Sequence, residues 1–199
     1  MRHSPYRGTR PSVWPRVTRQ LVERHPLPPE EIVEVVLHCW DSIFASTIGA
    51  RAFRFGADIF PKPQIVGFLL HELIPLELQA RHPGIWRADV SCDDKDLVHI
   101  PDAAYSIELK TSSNPKRIFG NRSYAQEGSA RKKAKSGYYL AVNFQKFRQG
   151  GERPRVLLVR FGWLDSTDWV GQRAATGQQS RLPPDVEEGK LLTLYSSNQ

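Results

Sequence analysis

Glu108, Leu109 and Lys110 stand in a run, 105–111, whose side chains alternate as a strand requires. Alternation sends Glu108 and Lys110 out of one face while Ile107 and Leu109 pack on the other. A carboxylate and an ammonium two residues apart can then serve one site. Alone the pair means little, because Glu and Lys are ordinary surface residues. A second acid within reach changes this. Two carboxylates converging from neighbouring strands make a hard, oxygen-rich site suited to Mg2+, which binds one or two carboxylates and keeps several waters. Such an ion lowers the pKa of a water and polarises a phosphate. A nearby lysine can orient the attacking water or offset the charge that builds on phosphorus.

Asp102 and Asp96 compete to be that second acid. Six residues along one continuous strand would carry Asp102 about 20 Å from Glu108. It also stands in Pro101-Asp102-Ala103-Ala104, where a turn-forming aspartate is expected. Asp96 lies twelve residues before Glu108, on the partner strand of a hairpin. The two share a face only if the paired residue numbers sum to an even value, which demands an odd-length loop or a one-residue bulge near 101–104. A bulge or a three- or five-residue loop is therefore expected, with Asp89 or Asp93 next in line if Asp96 points away. Glu72, on the preceding helix, could lean over the sheet edge to the same metal, and it reads equally well as a solvent-facing glutamate.

The elements around these residues read as α/β. Residues 1–29, rich in Pro and Arg and closing on Pro26-Leu27-Pro28-Pro29, are expected to form a basic arm, extended or partly ordered. A single domain, 30–199, should follow. Pro29-Glu30-Glu31 opens a helix that carries Ile32, Val35, Val36, Cys39, Trp40, Ile43 and Phe44 at helical spacing to a stop at Gly49. A second helix spans about 64–80, with Pro75 inside it. Strands are expected at 86–90, 95–100, 105–111, 138–144 and 155–161, with an edge strand at 191–195. A helix should open at 120–123 and run towards Gly137, and a short one should follow Asp165 and end at Gly177. The sum is a mixed central sheet flanked by helices.

Bulk properties narrow the function classes. The chain has 199 residues, 40% hydrophobic and 25% charged, an ordinary globular composition. No apolar run reaches the roughly 18 residues of a membrane span, and the first sixteen residues lack the apolar segment of a signal peptide. Cys39 and Cys92 show no metal-binding spacing and read as two buried thiols in a reducing cytoplasm. A net charge of +7 suits a polyanionic partner. It is concentrated in the arm and in Arg131, Lys132, Lys133 and Lys135.

At the hairpin the chain resembles a known family. The run Lys95-Asp96-Leu97-Val98-His99-Ile100, continued through Tyr105-Ser106-Ile107-Glu108-Leu109-Lys110-Thr111, is similar to the core of the PD-(D/E)xK nucleases. Ile118-Phe119-Gly120-Asn121-Arg122-Ser123-Tyr124 and the run 137–144 resemble type II restriction endonucleases. Arg160-Phe161-Gly162-Trp163-Leu164-Asp165, Asp168-Trp169 and Thr176-Gly177-Gln178 resemble the ScaI-type family in particular. The resemblance covers roughly 64–195. It implies a restriction-endonuclease-like core and Mg2+-dependent hydrolysis of double-stranded DNA by a homodimer on a palindrome. It further implies Asp96 and Glu108 as metal ligands and Lys110 as catalytic lysine. In the generic pattern the acid follows the proline, whereas here Asp96 fills that role and Pro101-Asp102 is a coincidence of the turn.

Two further groups suit DNA. Asn121, Arg122 and Ser123 would offer backbone N–H groups and a guanidinium to a phosphate at a helix N-terminus, or simply cap that helix. Gln178, Gln179 and Arg181, after the last expected helix, could read bases, since Gln pairs with adenine and Arg with guanine. His99 reads as structural, and Trp163 and Trp169 as core. Rival readings are a repair or junction-resolving nuclease of the same fold, and a DNA-binding protein whose acids are inert.

Overall fold

Every residue of 137–144 is buried, and a strand apolar on both faces has to be covered on both. The computed structural model describes residues 4–125, 135–172 and 177–197. Its elements in chain order are α1 (Trp14–Glu23), α2 (Pro29–Ala45), a hairpin of β1 (Thr47–Ile48) and β2 (Phe53–Arg54), α3 (Pro63–Arg81), β3 (Trp86–Ala88), β4 (Leu97–His99), β5 (Ile107–Ser112), β6 (Phe119–Asn121), β7 (Gly137–Phe144), β8 (Val156–Leu164), β9 (Val170–Gly171), β10 (Gln179–Arg181), α4 (Pro184–Lys190) and β11 (Leu191–Ser196). Six strands form one mixed sheet in the order β11-β8-β7-β5-β4-β3. Within it β5 and β7 run parallel and the other neighbours antiparallel. This is the α/β architecture expected, with β11 on the edge.

One face of the sheet presents Ile107, Leu109, Tyr138, Leu140 and Phe161 to α1, α2 and α3, which bury Val22, Ile32, Val35, Ile43, Val66, Leu70 and Ile74 against it. Pro75 sits inside α3 and is buried. The other face presents Tyr139, Ala141 and Leu164, covered by Ile118, Trp169, Leu182 and Val186. These belong to α4 and to the surroundings of a second sheet ordered β6-β10-β9. In the parallel ladder Glu108 is aligned with Tyr139 and Lys110 with Ala141. The two polar residues therefore open onto the second face.

The amino-terminal region is not a loose arm. Trp14, Val17, Leu21 and Val22 form the inward stripe of α1, while Arg16 and Arg19 point to solvent. Pro15 lies in the first turn, where it costs no hydrogen bond. Proline and arginine gave these residues the composition of a disordered segment, yet each sits where a helix tolerates it. Upstream, Tyr6 bonds Thr18 at 2.8 Å, and Thr18 Oγ1 donates to Gly189 O at 2.7 Å. Buried Lys190 donates to Asp165 Oδ2 at 3.0 Å and Asp168 Oδ1 at 2.7 Å, with its ammonium 4.4 Å from the Tyr6 ring centroid. Burying charge is costly unless it is paired, and here it is.

Other expectations are revised. The helix foreseen from 120 is instead β6 followed by a 3-10 turn, Arg122–Ala125, and 126–134, with Arg131, Lys132 and Lys133, lie outside the described residues. Past Asp165 the chain makes only a 3-10 turn, Ser166–Asp168, before β9. The Asp168 carboxylate accepts from Asp165 N at 2.7 Å and is held by Lys190, so the turn is closed at once. Gln179–Arg181 is a strand, β10, and a helix, α4, comes after it. Cys39 is buried, whereas Cys92 is exposed.

His25, between α1 and α2, is packed among the rings of Trp86, Tyr105, Tyr138 and Phe161. Its Nδ1 accepts from Leu27 N at 3.1 Å and its Nε2 lies 3.0 Å from Tyr105 O, which assigns the proton to Nε2. Burial pulls its pKa down from 6.5 to about 4. The unfolded chain therefore takes up this proton first, so the contribution is complete above pH 6.5 and is lost as pH falls towards 4, by on the order of 3 kcal/mol. Urea unfolding of wild type and His25→Phe between pH 7.5 and 4.5 should show a shallower loss in the variant. An equal loss in both proteins would assign the effect to other groups.

Candidate active site

Leu97 pairs with Ile107 across β4 and β5, an even sum. One step further, that register sets Asp96 across from Glu108 on the same face. The side chain follows: Asp96 Oδ2 accepts from Leu109 N at 2.6 Å. The parity is the expected one, but the connection is longer than the three or five residues foreseen. Nine residues, 98–106, separate the paired positions, because Ser106 Oγ accepts from His99 N at 3.1 Å and a 3-10 turn, Ala103–Tyr105, takes up the slack. Asp102 caps that turn by accepting from Ala104 N at 2.9 Å. It is a turn residue, as the spacing argued. His99 Nδ1 lies 3.2 Å from Asp102 N, a structural use.

Glu108 is 3% exposed. Lys110 Nζ donates to Glu108 Oε1 at 2.9 Å and to Leu109 O at 3.0 Å. The Tyr124 hydroxyl donates to the same Glu108 oxygen, and the Lys110 ammonium lies 4.7 Å from the Tyr124 ring centroid. Burial, then the Glu108 carboxylate, push the Tyr124 hydroxyl far above the usual tyrosine range, so it stays protonated and donating. Two residues that sequence reasoning does not find thus belong to the cluster. They are Tyr124 and His71, whose Nδ1 is 3.7 Å from Asp96 Oδ2. A lone aromatic past Glu108 and a lone histidine on α3 carry no spacing signal.

A cleft of about 640 Å3 runs alongside, lined on α3 by Gly67, Phe68, His71 and Glu72, then by Asp89 and Asp96, and opposite by Phe119, Gly120, Asn121 and Gln179. Glu72 is exposed on this rim. Asp89 shares the rim, while Asp93 is exposed and does not line the cleft. Gly67 matters for the fit of the helix: a Cβ there would lie 2.6 Å from Thr111 Oγ1, so a larger residue would force Thr111 or the helix to shift.

The far wall is the second sheet. Gln179 pairs with Asn121, Ser180 with Gly120 and Arg181 with Phe119. Ser180 and Gly120 are buried, and Asn121, Gln179 and Arg181 are exposed, so the ribbon turns its long polar side chains outward. Gln178 is exposed beside them. Arg122 has no free helix N-terminus to build on: its N–H donates to Gln178 O at 2.7 Å and its Nη1 to Gly177 O at 3.0 Å. Ser123 follows in the 3-10 turn. The loop from β5 to β6 is pinned from beneath by buried Arg160, which donates to Lys116 O at 2.6 Å and Asn143 Oδ1 at 3.0 Å. Asn143 in turn donates to Asn114 O at 2.7 Å, and Glu187 Oε1 accepts from Ile118 N at 3.0 Å.

The ScaI restriction endonuclease family model matches residues 4–195. The Type II restriction enzyme ScaI of Streptomyces caespitosus is 51% identical over 198 residues, covering 98% of this chain and 86% of its own length. The chain belongs to the ScaI restriction endonuclease family. No solved structure matches it. The match to the ScaI family begins well before residue 64, where the resemblance in the sequence starts, and so takes in α1 and α2.

The donor set fits Mg2+. Asp96, just ahead of β4, and Glu108 in β5 offer hard carboxylate oxygens, and the cleft beside Asp96 is open to water. Among the described residues no three His, Cys, Asp or Glu side chains gather closely enough to cage a metal. Mg2+ does not need such a cage, since it is commonly held by one or two carboxylates with waters and substrate phosphate.

Proposed function

We propose that the protein is a type II restriction endonuclease that hydrolyses phosphodiester bonds of double-stranded DNA at a specific palindromic sequence. Mg2+ is held by Asp96 and Glu108, and Lys110 is the catalytic lysine of a PD-(D/E)xK site. The observation that carries this reading is the Asp96 carboxylate clasping the backbone of β5 between Glu108 and Lys110. Membership of a restriction endonuclease family supports the reaction class.

Bound at these carboxylates, Mg2+ supplies Lewis-acid polarisation of the phosphate and a water of lowered pKa. Lys110, beside Glu108, would orient an attacking water or offset charge on the phosphate. Glu72, exposed on the cleft rim, would be a further carboxylate for the metal. On the ribbon, Gln178, Gln179 and Arg181 face the bases, joined by exposed Asn121, for which the sequence alone suggests a phosphate, while Arg122 and Ser123 keep to the backbone. The +7 charge favours the polyanion. A palindromic site is two-fold symmetric and is matched by a homodimer. Both cysteines are free, in keeping with a cytoplasmic setting. No helix among the described residues is long and apolar enough to cross a membrane.

Plasmid incubated with Mg2+ should give discrete fragments, and Glu108→Ala or Lys110→Ala should slow their appearance by about a hundredfold to a thousandfold. Cutting confined to branched or mismatched DNA would favour a repair enzyme. Salt-sensitive binding without cleavage in any metal would overturn the enzymatic reading.

Base reading is tested separately. Gln179→Ala and Asn121→Ala should each lose roughly 1–3 kcal/mol of discrimination at one base pair, seen in competition between the cognate duplex and single-base variants. A uniform loss on all duplexes would place these side chains on the backbone instead.

A further inference from the structure

We propose that Tyr124 is a positioning residue that ties the DNA-facing ribbon to the Glu108–Lys110 pair. The inference rests on the nuclease reading above. One side chain touches both members of the pair: its hydroxyl donates to Glu108 Oε1, and its ring lies under the Lys110 ammonium at 4.7 Å. A hydrogen bond to a carboxylate fixes which way the carboxylate faces, and an aromatic face attracts an ammonium. Tyr124 therefore restrains both reactive groups at once.

The ring is itself held by the ribbon. It packs on Trp169 with centroids 5.2 Å apart. Gly120 of β6 lies so close that a Cβ there would meet Tyr124 Cδ2 at 3.2 Å and Ser180 Oγ at 2.9 Å. The chain leaves β6 at Asn121 and enters directly the turn that carries Tyr124. That turn is fastened to the segment entering β10 by Arg122 N–H to Gln178 O at 2.7 Å and Arg122 Nη1 to Gly177 O at 3.0 Å. Asn121 and Gln179, the outward pair of the ribbon, are thus a few bonds from a residue that sets the Glu108 carboxylate. Through these contacts the ribbon and the reactive pair are held in one fixed arrangement.

The test compares wild type, Tyr124→Phe and Tyr124→Leu as full-length protein. Three quantities are read: Mn2+ binding by calorimetry without DNA, duplex binding without divalent metal, and single-turnover cleavage in Mg2+. Tyr124→Phe keeps the ring and loses only the hydroxyl. It should bind Mn2+ about tenfold more weakly and cleave about tenfold to a hundredfold more slowly. Its duplex binding should stay within about twofold of wild type. Tyr124→Leu, which also removes the ring from Lys110, should cleave more slowly still; if it does not fold, the phenylalanine variant carries the test. Wild-type Mn2+ affinity and rate in Tyr124→Phe would overturn the inference. So would a loss of cleavage that merely follows a loss of duplex binding. A wild-type protein that neither binds Mn2+ nor cleaves would instead bring down the underlying nuclease reading.

Discussion

A side chain in a strand has two faces open to it, and the pairing of β4 with β5 decides between them for Asp96. Leu97 opposite Ile107 makes the sum even, and evenness puts Asp96 with Glu108. A slip of one residue would bury Leu97 on the wrong side and send the aspartate under α3. The register is therefore enforced by packing as much as by hydrogen bonds, since Leu97, Ile107 and Leu109 are all fully buried in the helix-covered core. The Asp96–Leu109 bond then locks what packing selects.

Around that register the molecule divides its labour by face. The helices dry one side of the sheet, so β5 is anchored by Ile107 and Leu109 and cannot roll. The opposite side is covered by small elements, which leaves Glu108 deep while Asp96 lines the cleft. A buried carboxylate is expensive without partners, and Lys110 and Tyr124 supply them. Arg160, Asn143 and Glu187 do similar service for the 114–118 loop, whose carbonyls and N–H groups would otherwise be stranded between the two sheets. The two acidic residues and the ribbon are thereby parts of one hydrogen-bonded frame.

Much of this was legible in the residues. Strand alternation found Glu108 and Lys110, and parity arithmetic preferred Asp96 to Asp102. What escaped has physical causes. The length of the β4–β5 connection depended on a serine hydroxyl standing in for a backbone partner, which no periodicity reveals. The amino-terminal helix was hidden by prolines and arginines placed where a helix tolerates them. Two-residue and three-residue strands such as β9 and β6 carry too few side chains to show a period, so the ribbon that holds Asn121, Gln179 and Arg181 could not be seen. Tyr124 and His71 reach the site only through tertiary packing.

The central claim is that Asp96 and Glu108 form one metal site and that Asp102 has no part in it. Calorimetric Mn2+ binding to wild type, Asp96→Asn, Glu108→Gln, the double variant and Asp102→Asn tests it directly. The account predicts that each of the first two variants weakens the same binding event by tenfold or more, that the double variant is scarcely worse than the weaker single, and that Asp102→Asn binds as wild type. Intact binding in Asp96→Asn, strictly additive losses, or loss in Asp102→Asn would contradict it.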